Sequence, residues 1–177
     1  MRAVTLLCVA ALVLSGCGLR PLYGGGAGGS VQTMLAAVQV APIEGQSGWL
    51  VSNALRDRLH GGDTTPRYRL EIQLDDSTVG LGVRRDDSVA RERRTLRARY
   101  QLVDLANGTV VLDATAGSDA GIDVVGSEYA TIAAEKTALE RLSGIVADQI
   151  VARVARYAQS GPASAPTAAV PAGSTGQ

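Results

Sequence analysis

The stretch Tyr68-Arg69-Leu70-Glu71-Ile72-Gln73-Leu74 puts an apolar residue at every even position and a polar one at every odd position. Side chains along a β-strand point alternately to the two faces of a sheet, so this spacing predicts a strand with one buried and one solvated face. The same alternation, in the same sense, returns at Leu96-Arg97-Ala98-Arg99-Tyr100-Gln101-Leu102. It returns once more at Val110, Leu112 and Ala114 against Val111, Asp113 and Thr115, just after Asn107-Gly108, a dipeptide suited to a tight hairpin turn. Three half-buried strands of this kind make an antiparallel meander with one apolar face. An earlier β-rich stretch, Ala36 to Ile43, ends near Pro42, which fits an edge strand or a strand end.

An apolar sheet face needs a cover, and two segments have helical spacing. From Ser47 to about His60 the residues Val51, Ala54, Leu55 and Leu59 share a face, and Gly61-Gly62 stops the run. From about Glu128 to Tyr157 the residues Ile132, Leu139, Leu142, Val146, Ile150, Val154 and Tyr157 form one apolar stripe. Ser127 is placed to cap this second helix, and Glu128 suits the positive end of its dipole. At 1.5 Å per residue it would be about 45 Å long, more than a four-stranded sheet needs. The predicted fold is therefore α+β, with two helices packed on one face of a four-stranded, mostly antiparallel sheet in the order β-α-β-β-β-α. The helical connection after the first strand favours a parallel neighbour for it, although its place in the sheet is not readable from the sequence.

Before this domain the chain opens with Met1-Arg2, then an almost continuous apolar run from Ala3 to Leu14, then Ser15-Gly16-Cys17. A charged start, a short apolar run and small residues at the cut match a secretory signal; the run is shorter than the roughly 20 residues a membrane span requires. With the thiol at the cut, the whole resembles a bacterial lipoprotein signal, which implies removal of residues 1–16 and lipidation of Cys17. Cys8 would leave with the signal, so the mature chain could form no internal disulfide. Several acyl chains of the palmitate kind hold a protein far more durably than a single myristoyl chain does. Gly18, where Asp would stand in a chain retained at the inner membrane, implies anchoring to the cell outer membrane, facing the periplasm. Residues 17–30 read as a lipidated Cys and Gly-rich tether, 31–158 as the α+β sandwich, and 159–177 as a disordered Pro/Ala-rich tail.

Composition narrows the function. The full chain carries 17 basic and 17 acidic side chains, and losing Arg2 leaves the mature chain near neutrality, which argues against nonspecific nucleic-acid binding. His60 is the only histidine, and an acylated Cys17 would leave no free thiol, so zinc sites and Cys or His nucleophile systems lack their usual groups. Asp75-Asp76 and Asp86-Asp87 are read as turn residues, because neighbours on a strand point to opposite faces and make poor acid/base couples. Gly80-Leu81-Gly82-Val83 lacks the third glycine of a dinucleotide fingerprint and is read as a bend or bulge at a strand end. No enzymatic activity, cofactor or metal is expected.

What remains is arginine. Arg84, Arg85, Arg91, Arg93, Arg94, Arg97 and Arg99 fall within sixteen residues, over the expected loop between the second and third strands and the start of the third. Parity places Arg93, Thr95, Arg97, Arg99 and Gln101 on the polar face. Arg forks bind phosphate and carboxylate in bidentate fashion, so this stripe fits an anionic lipid headgroup or an acidic protein wall. The plainer alternative is a solvated face whose charges pair with Glu71, Asp86, Asp87, Glu92 and Asp113.

Gly16-Cys17-Gly18-Leu19-Arg20-Pro21-Leu22-Tyr23-Gly24 resembles the Gly-Cys-Gly-Phe-x-Pro-Leu-Tyr-Gly start of the LPS-assembly lipoprotein family, LptE, above all its alphaproteobacterial members, with Leu19 in place of the usual Phe. The order of strands and helices is similar to that family's fold. The resemblance implies a non-enzymatic subunit of the lipopolysaccharide (LPS) translocon, which plugs the LptD outer-membrane β-barrel, assists its assembly and interacts with LPS. Arg84, Arg85 and Arg91, by their expected place in the loop, together with Arg93, Arg97 and Arg99, are the candidate contacts to LPS or partner. The alternative is an auxiliary lipoprotein of an ABC-type lipid transporter. A cell-envelope hydrolase is disfavoured by the residue inventory.

Overall fold

The computed structural model describes residues 29–59, 64–83, 89–124 and 127–160. Cys17 and the motif around it, His60, Arg84, Arg85, Asp86-Asp87 and residues 161–177 lie outside them. The elements are α1 (Ser30–Ala36), β1 (Val38–Val40), α2 (Gly45–Leu59), β2 (Tyr68–Val83), β3 (Val89–Asp104), β4 (Thr109–Asp123) and α3 (Glu128–Ser160). From β1 onward this is the predicted order β-α-β-β-β-α. The short helix α1 is an addition, and it buries Val31 and Leu35, one helical turn apart on the same face.

The four strands lie in the order β1-β2-β3-β4. β1 is parallel to β2, with Val38 opposite Tyr68 and Val40 opposite Leu70, as expected when a helix carries the chain back to the start of the next strand. It is shorter than the β-rich stretch from Ala36 to Ile43, because Ala36 ends α1 and Pro42 has no N–H to give to a ladder. The other pairs are antiparallel. One irregularity sits between Leu102 and Val103, where β4 steps from Leu112 to Val110 and Val111 is the extra residue of a bulge.

β2 and β3 run for 16 residues each and β4 for 15, longer than period-two patterning alone indicated. Asp75-Asp76, expected in a turn, lies in the middle of β2, and Gly80-Leu81-Gly82-Val83, expected to bend, continues that strand. Asp and Gly have low strand propensity, but that preference spans only about 1 kcal/mol and yields to pairing and packing. Here Asp75 lies opposite Arg97 in the ladder, Gly80 opposite Glu92 and Leu81 opposite Arg91. The long strands also account for the long helix. At about 3.3 Å per strand residue the ribbon is roughly 50 Å long, and the 33-residue α3 extends about as far at 1.5 Å per residue.

All three helices share one core. Leu70, Leu96, Ala98, Tyr100 and Leu102 from the sheet meet Val51 and Leu55 of α2 and Leu139, Leu142, Val146, Ile150 and Val154 of α3, all at most 2 % exposed. Burial pushes the Tyr100 hydroxyl above its ordinary pKa. α2 fits against its own lead-in because position 48 is glycine; a Cβ there would sit 2.7 Å from the Ile43 carbonyl oxygen. Arg58 joins α2 to α3, donating to the Asp148 carboxylate and to the Gly144 carbonyl oxygen. Ser127 caps α3 as predicted, its Oγ accepting from the Ala130 N–H at 3.4 Å.

Ile132 departs from expectation. It belongs to the apolar stripe by spacing but is 57 % exposed. Near the start of α3 the helix-facing side of the sheet mixes polar with aliphatic residues: Arg94 and Asp76 meet there, and Arg94 donates to the Glu135 carbonyl oxygen at 3.3 Å. The apolar surface at that end is limited to Ala120 and Ile122 of β4 with the partly buried Ala134 of α3, and Ile132 lies outside it.

Candidate functional site: the open face of the sheet

With all helices on one side, the other face of the β2-β3-β4 ribbon is open. β3 is its central strand and brings Arg91, Arg93, Thr95, Arg97, Arg99 and Gln101 to that face in a single file. Arg91, Arg93, Arg97 and Arg99 are all exposed. The flanking strands set each in a different environment, because register decides which side chains lie opposite.

At one end Arg91 stands between Leu81 and Asp123, and its Nε donates to Asp123 at 2.9 Å. At the other end Asp113 accepts from Gln101 at 2.9 Å and from Arg99 at 3.2 Å. These two hydrogen bonds, that of Gln101 first, hold the Asp113 carboxyl below its usual pKa. Between the paired ends, Arg93 and Arg97 have no ion pair with any described residue. Arg93 faces Val79 on one side and Gly121 on the other; Arg97 faces Asp75 and Gly117. Gly117 keeps the surface low beside Arg97, where a Cβ would come within 3.3 Å of the Arg97 Cγ. Four residues apart on one strand, the two free guanidinium groups stem from positions about 13 Å apart.

Such a face can offer two bidentate forks to phosphate or carboxylate oxygens. Val79, 58 % exposed and directly opposite Arg93, adds an aliphatic surface beside the cation. Among the described residues no group of His, Cys, Asp and Glu is arranged to hold a metal ion. No described helix is long and apolar enough to cross a membrane.

The model of the lipopolysaccharide-assembly family LptE matches residues 35–154, from the end of α1 through the whole sheet and most of α3. The chain belongs to the LptE family. The fold has solved relatives. A structure of a candidate lipoprotein from Caulobacter crescentus CB15 is similar at 24 % identity over 75 % of this chain and 97 % of that one, with a TM-score of 0.63. Lipoprotein B from Nitrosomonas europaea follows at 14 % identity, 70 % and 83 % coverage and a TM-score of 0.54. The rare lipoprotein B from Shewanella oneidensis has 12 % identity, 70 % and 96 % coverage and a TM-score of 0.50. At these identities the likeness is one of fold. No curated protein matches the chain.

Within this LptE domain the arginines singled out by sequence separate. Arg93, Arg97 and Arg99 stand on the polar face where parity put them, and Arg91 joins them. Arg91 was expected in the loop; it lies in β3, because the strand begins at Val89 rather than beyond the cluster. Arg84 and Arg85 fall outside the described residues. Arg94 turns to the helix side, where Asp76 grips it through both carboxylate oxygens at 2.9 and 2.7 Å. That bond is the main reason its pKa is raised. With side chains only 16 % and 20 % exposed, Arg94 and Asp76 tie β3 to β2 beneath α3. Sequence reasoning missed this pair, and missed Val79 as a companion of Arg93. The available signal was parity: carried past Leu74, it puts Asp76 on the covered side and Val79 on the open one.

Proposed function

We propose that this chain is an outer-membrane lipoprotein subunit of the LPS translocon, held to the periplasmic side of the membrane by acyl chains on Cys17. In this reading it plugs the LptD β-barrel, assists its assembly and meets LPS on the open sheet face. Membership of the LptE family supports the assembly role. The single observation that carries the contact is the pair of unpartnered guanidinium groups at Arg93 and Arg97, between the ion-paired Arg91 and Arg99 on the same face. Phosphorylated lipid headgroups carry the charge these forks take, and Val79 offers a surface to the chains beside it. The interior of a large outer-membrane barrel is polar, so the same hydrophilic face suits a plug, whereas an aliphatic face would not. Arg84 and Arg85 follow β2 in the chain and are assigned to the same contact.

Two measurements test this. Detergent-solubilised protein isolated from its own membranes should bring a large β-barrel with it; recovery of an inner-membrane ATPase complex instead would assign it to an ABC-type lipid transporter. In vitro, the double variant Arg93→Glu/Arg97→Glu should bind LPS at least about tenfold more weakly, a loss of roughly 1.4 kcal/mol. Unchanged binding would reduce the open face to plain surface.

A further inference from the structure

Both edges of the sheet expose backbone groups with no strand beside them among the described residues, and on β4 one residue is covered from α3. On β4, the N–H and C=O of Gly117 are both met by the side-chain amide of Gln149 from α3, at 3.1 and 3.3 Å. β2 has β1 beside it only along Tyr68, Arg69 and Leu70. On that side the Leu70 carbonyl oxygen accepts from the Ala41 N–H at 2.9 Å, and the Tyr68 N–H donates to the Ala37 carbonyl oxygen at 3.0 Å. In an antiparallel ladder both backbone groups of a residue point the same way and alternate along the strand. Ile72, Leu74, Asp76, Thr78 and Gly80 therefore turn N–H and C=O to the unpaired side. None of these groups has a partner among the described residues. This open stretch is about 26 Å long at 3.3 Å per residue.

A bare edge of that length is a template for another strand, and native proteins usually blunt one with charge, proline or a cover. Here the side chains along it state what they would accept. Ile72 and Leu74 face the helices and are mostly buried, so an incoming strand extends the core if it places apolar residues beside them. On the open face stands Asp75, exposed and without an ion pair among the described residues. A second copy of β2 is a poor occupant. Antiparallel pairing centred on Asp76 brings the Asp75-Asp76 pairs of two chains together, and like charges opposite each other destabilise a sheet.

We infer that the edge of β2 from Ile72 to Gly80 receives an extended segment of a protein partner by strand addition, with a Lys or Arg beside Asp75 and apolar side chains beside Ile72 and Leu74. The choice of the β-barrel subunit as the source of that segment rests on the reading under Proposed function. The strand addition rests on the edge itself.

The test uses the full-length lipoprotein in its own membranes. Thr78→Pro removes one outward N–H and adds bulk at the edge, a change that edge strands tolerate; Asp75→Lys reverses the charge that the segment reads. Each should lower the co-purified barrel at least about tenfold with an unchanged thermal unfolding midpoint. In the purified wild-type complex the amides of Ile72, Leu74, Asp76 and Thr78, open in the isolated protein, should exchange with solvent about a hundredfold more slowly. This exchange measurement decides alone if either variant misfolds. If wild type retains the barrel while these four amides stay fast, strand addition is overturned and the subunit reading stands. If wild type retains no barrel, both fail. A dimer that Thr78→Pro abolishes in sedimentation would give the edge to a second copy and overturn the basic segment.

Discussion

The two faces of this sheet are made from alternate residues of the same strands, yet they have opposite tasks. Leu96, Ala98, Tyr100 and Leu102 of β3 are almost completely buried, while their immediate neighbours Arg97, Arg99 and Gln101 stand on the far side. The difference is one of cover. The helices are all on one face, so stability accumulates there, and the other is free to carry charge whose loss costs the fold little. A protein built this way can vary its recognition surface without touching its core.

The sharpest way to break this division is to hollow out the covered face. Leu96→Ala should cost about 2–5 kcal/mol in urea unfolding, the range for emptying a fully buried leucine site; a loss near zero would mean the helices do not seal that face. Adjacent Asp76 and Asp75 make the next comparison. Asp76→Asn weakens the grip on Arg94 beneath α3 and should cost about 1–2 kcal/mol, the scale of a charge-assisted hydrogen bond. Asp75→Asn, on the open face, should stay within about 0.5 kcal/mol of wild type. Equal losses at the two positions would erase the distinction between faces.

A smaller effect is expected from pH. The hydrogen bond from Arg58 holds the Asp148 carboxyl below its usual pKa. A carboxyl depressed in the folded state contributes stability in full above the unfolded value of about 3.9, and that contribution is lost as pH falls through the folded value. Wild type should therefore lose more stability than Asp148→Asn between pH 6 and pH 3, by about 0.5 kcal/mol for so exposed a pair. Identical pH profiles would show that this α2-α3 link contributes nothing. The least effect on the fold is expected from Arg93→Glu/Arg97→Glu, about 0.5 kcal/mol or less, even though the same change should weaken LPS binding most. A large loss of stability there would make these arginines part of the scaffold.

Much of this was legible beforehand because β-structure writes its burial into a two-residue period. Leu70 to Leu74 and Leu96 to Leu102 declared their faces, and the apolar stripe from Leu139 to Val154 declared the helix that covers them. Legibility failed where the period carried polar residues on both sides. Asp75-Asp76 and Gly80 to Val83 look like turn sequence, and only the opposite strand, with Arg97 across from Asp75 and Arg94 bonded diagonally to Asp76, keeps them extended. The helix α1 was missed because seven residues with two buried side chains leave little pattern to find.

The amino-acid sequence by itself determined the order of the elements, which residues of each strand face inward, and an Arg-rich polar face, since all of these follow from local periodicity. It also carried the stretch around Cys17 that resembles a lipoprotein signal. Only the tertiary structure decided that α3 and the strands match in length, that Arg94 belongs to the scaffold while Arg93 and Arg97 are left unpaired, and that one edge of β2 is bare. Those facts depend on register and on which strand lies beside which, and pairing between residues far apart in the chain leaves no trace in the spacing of either partner alone.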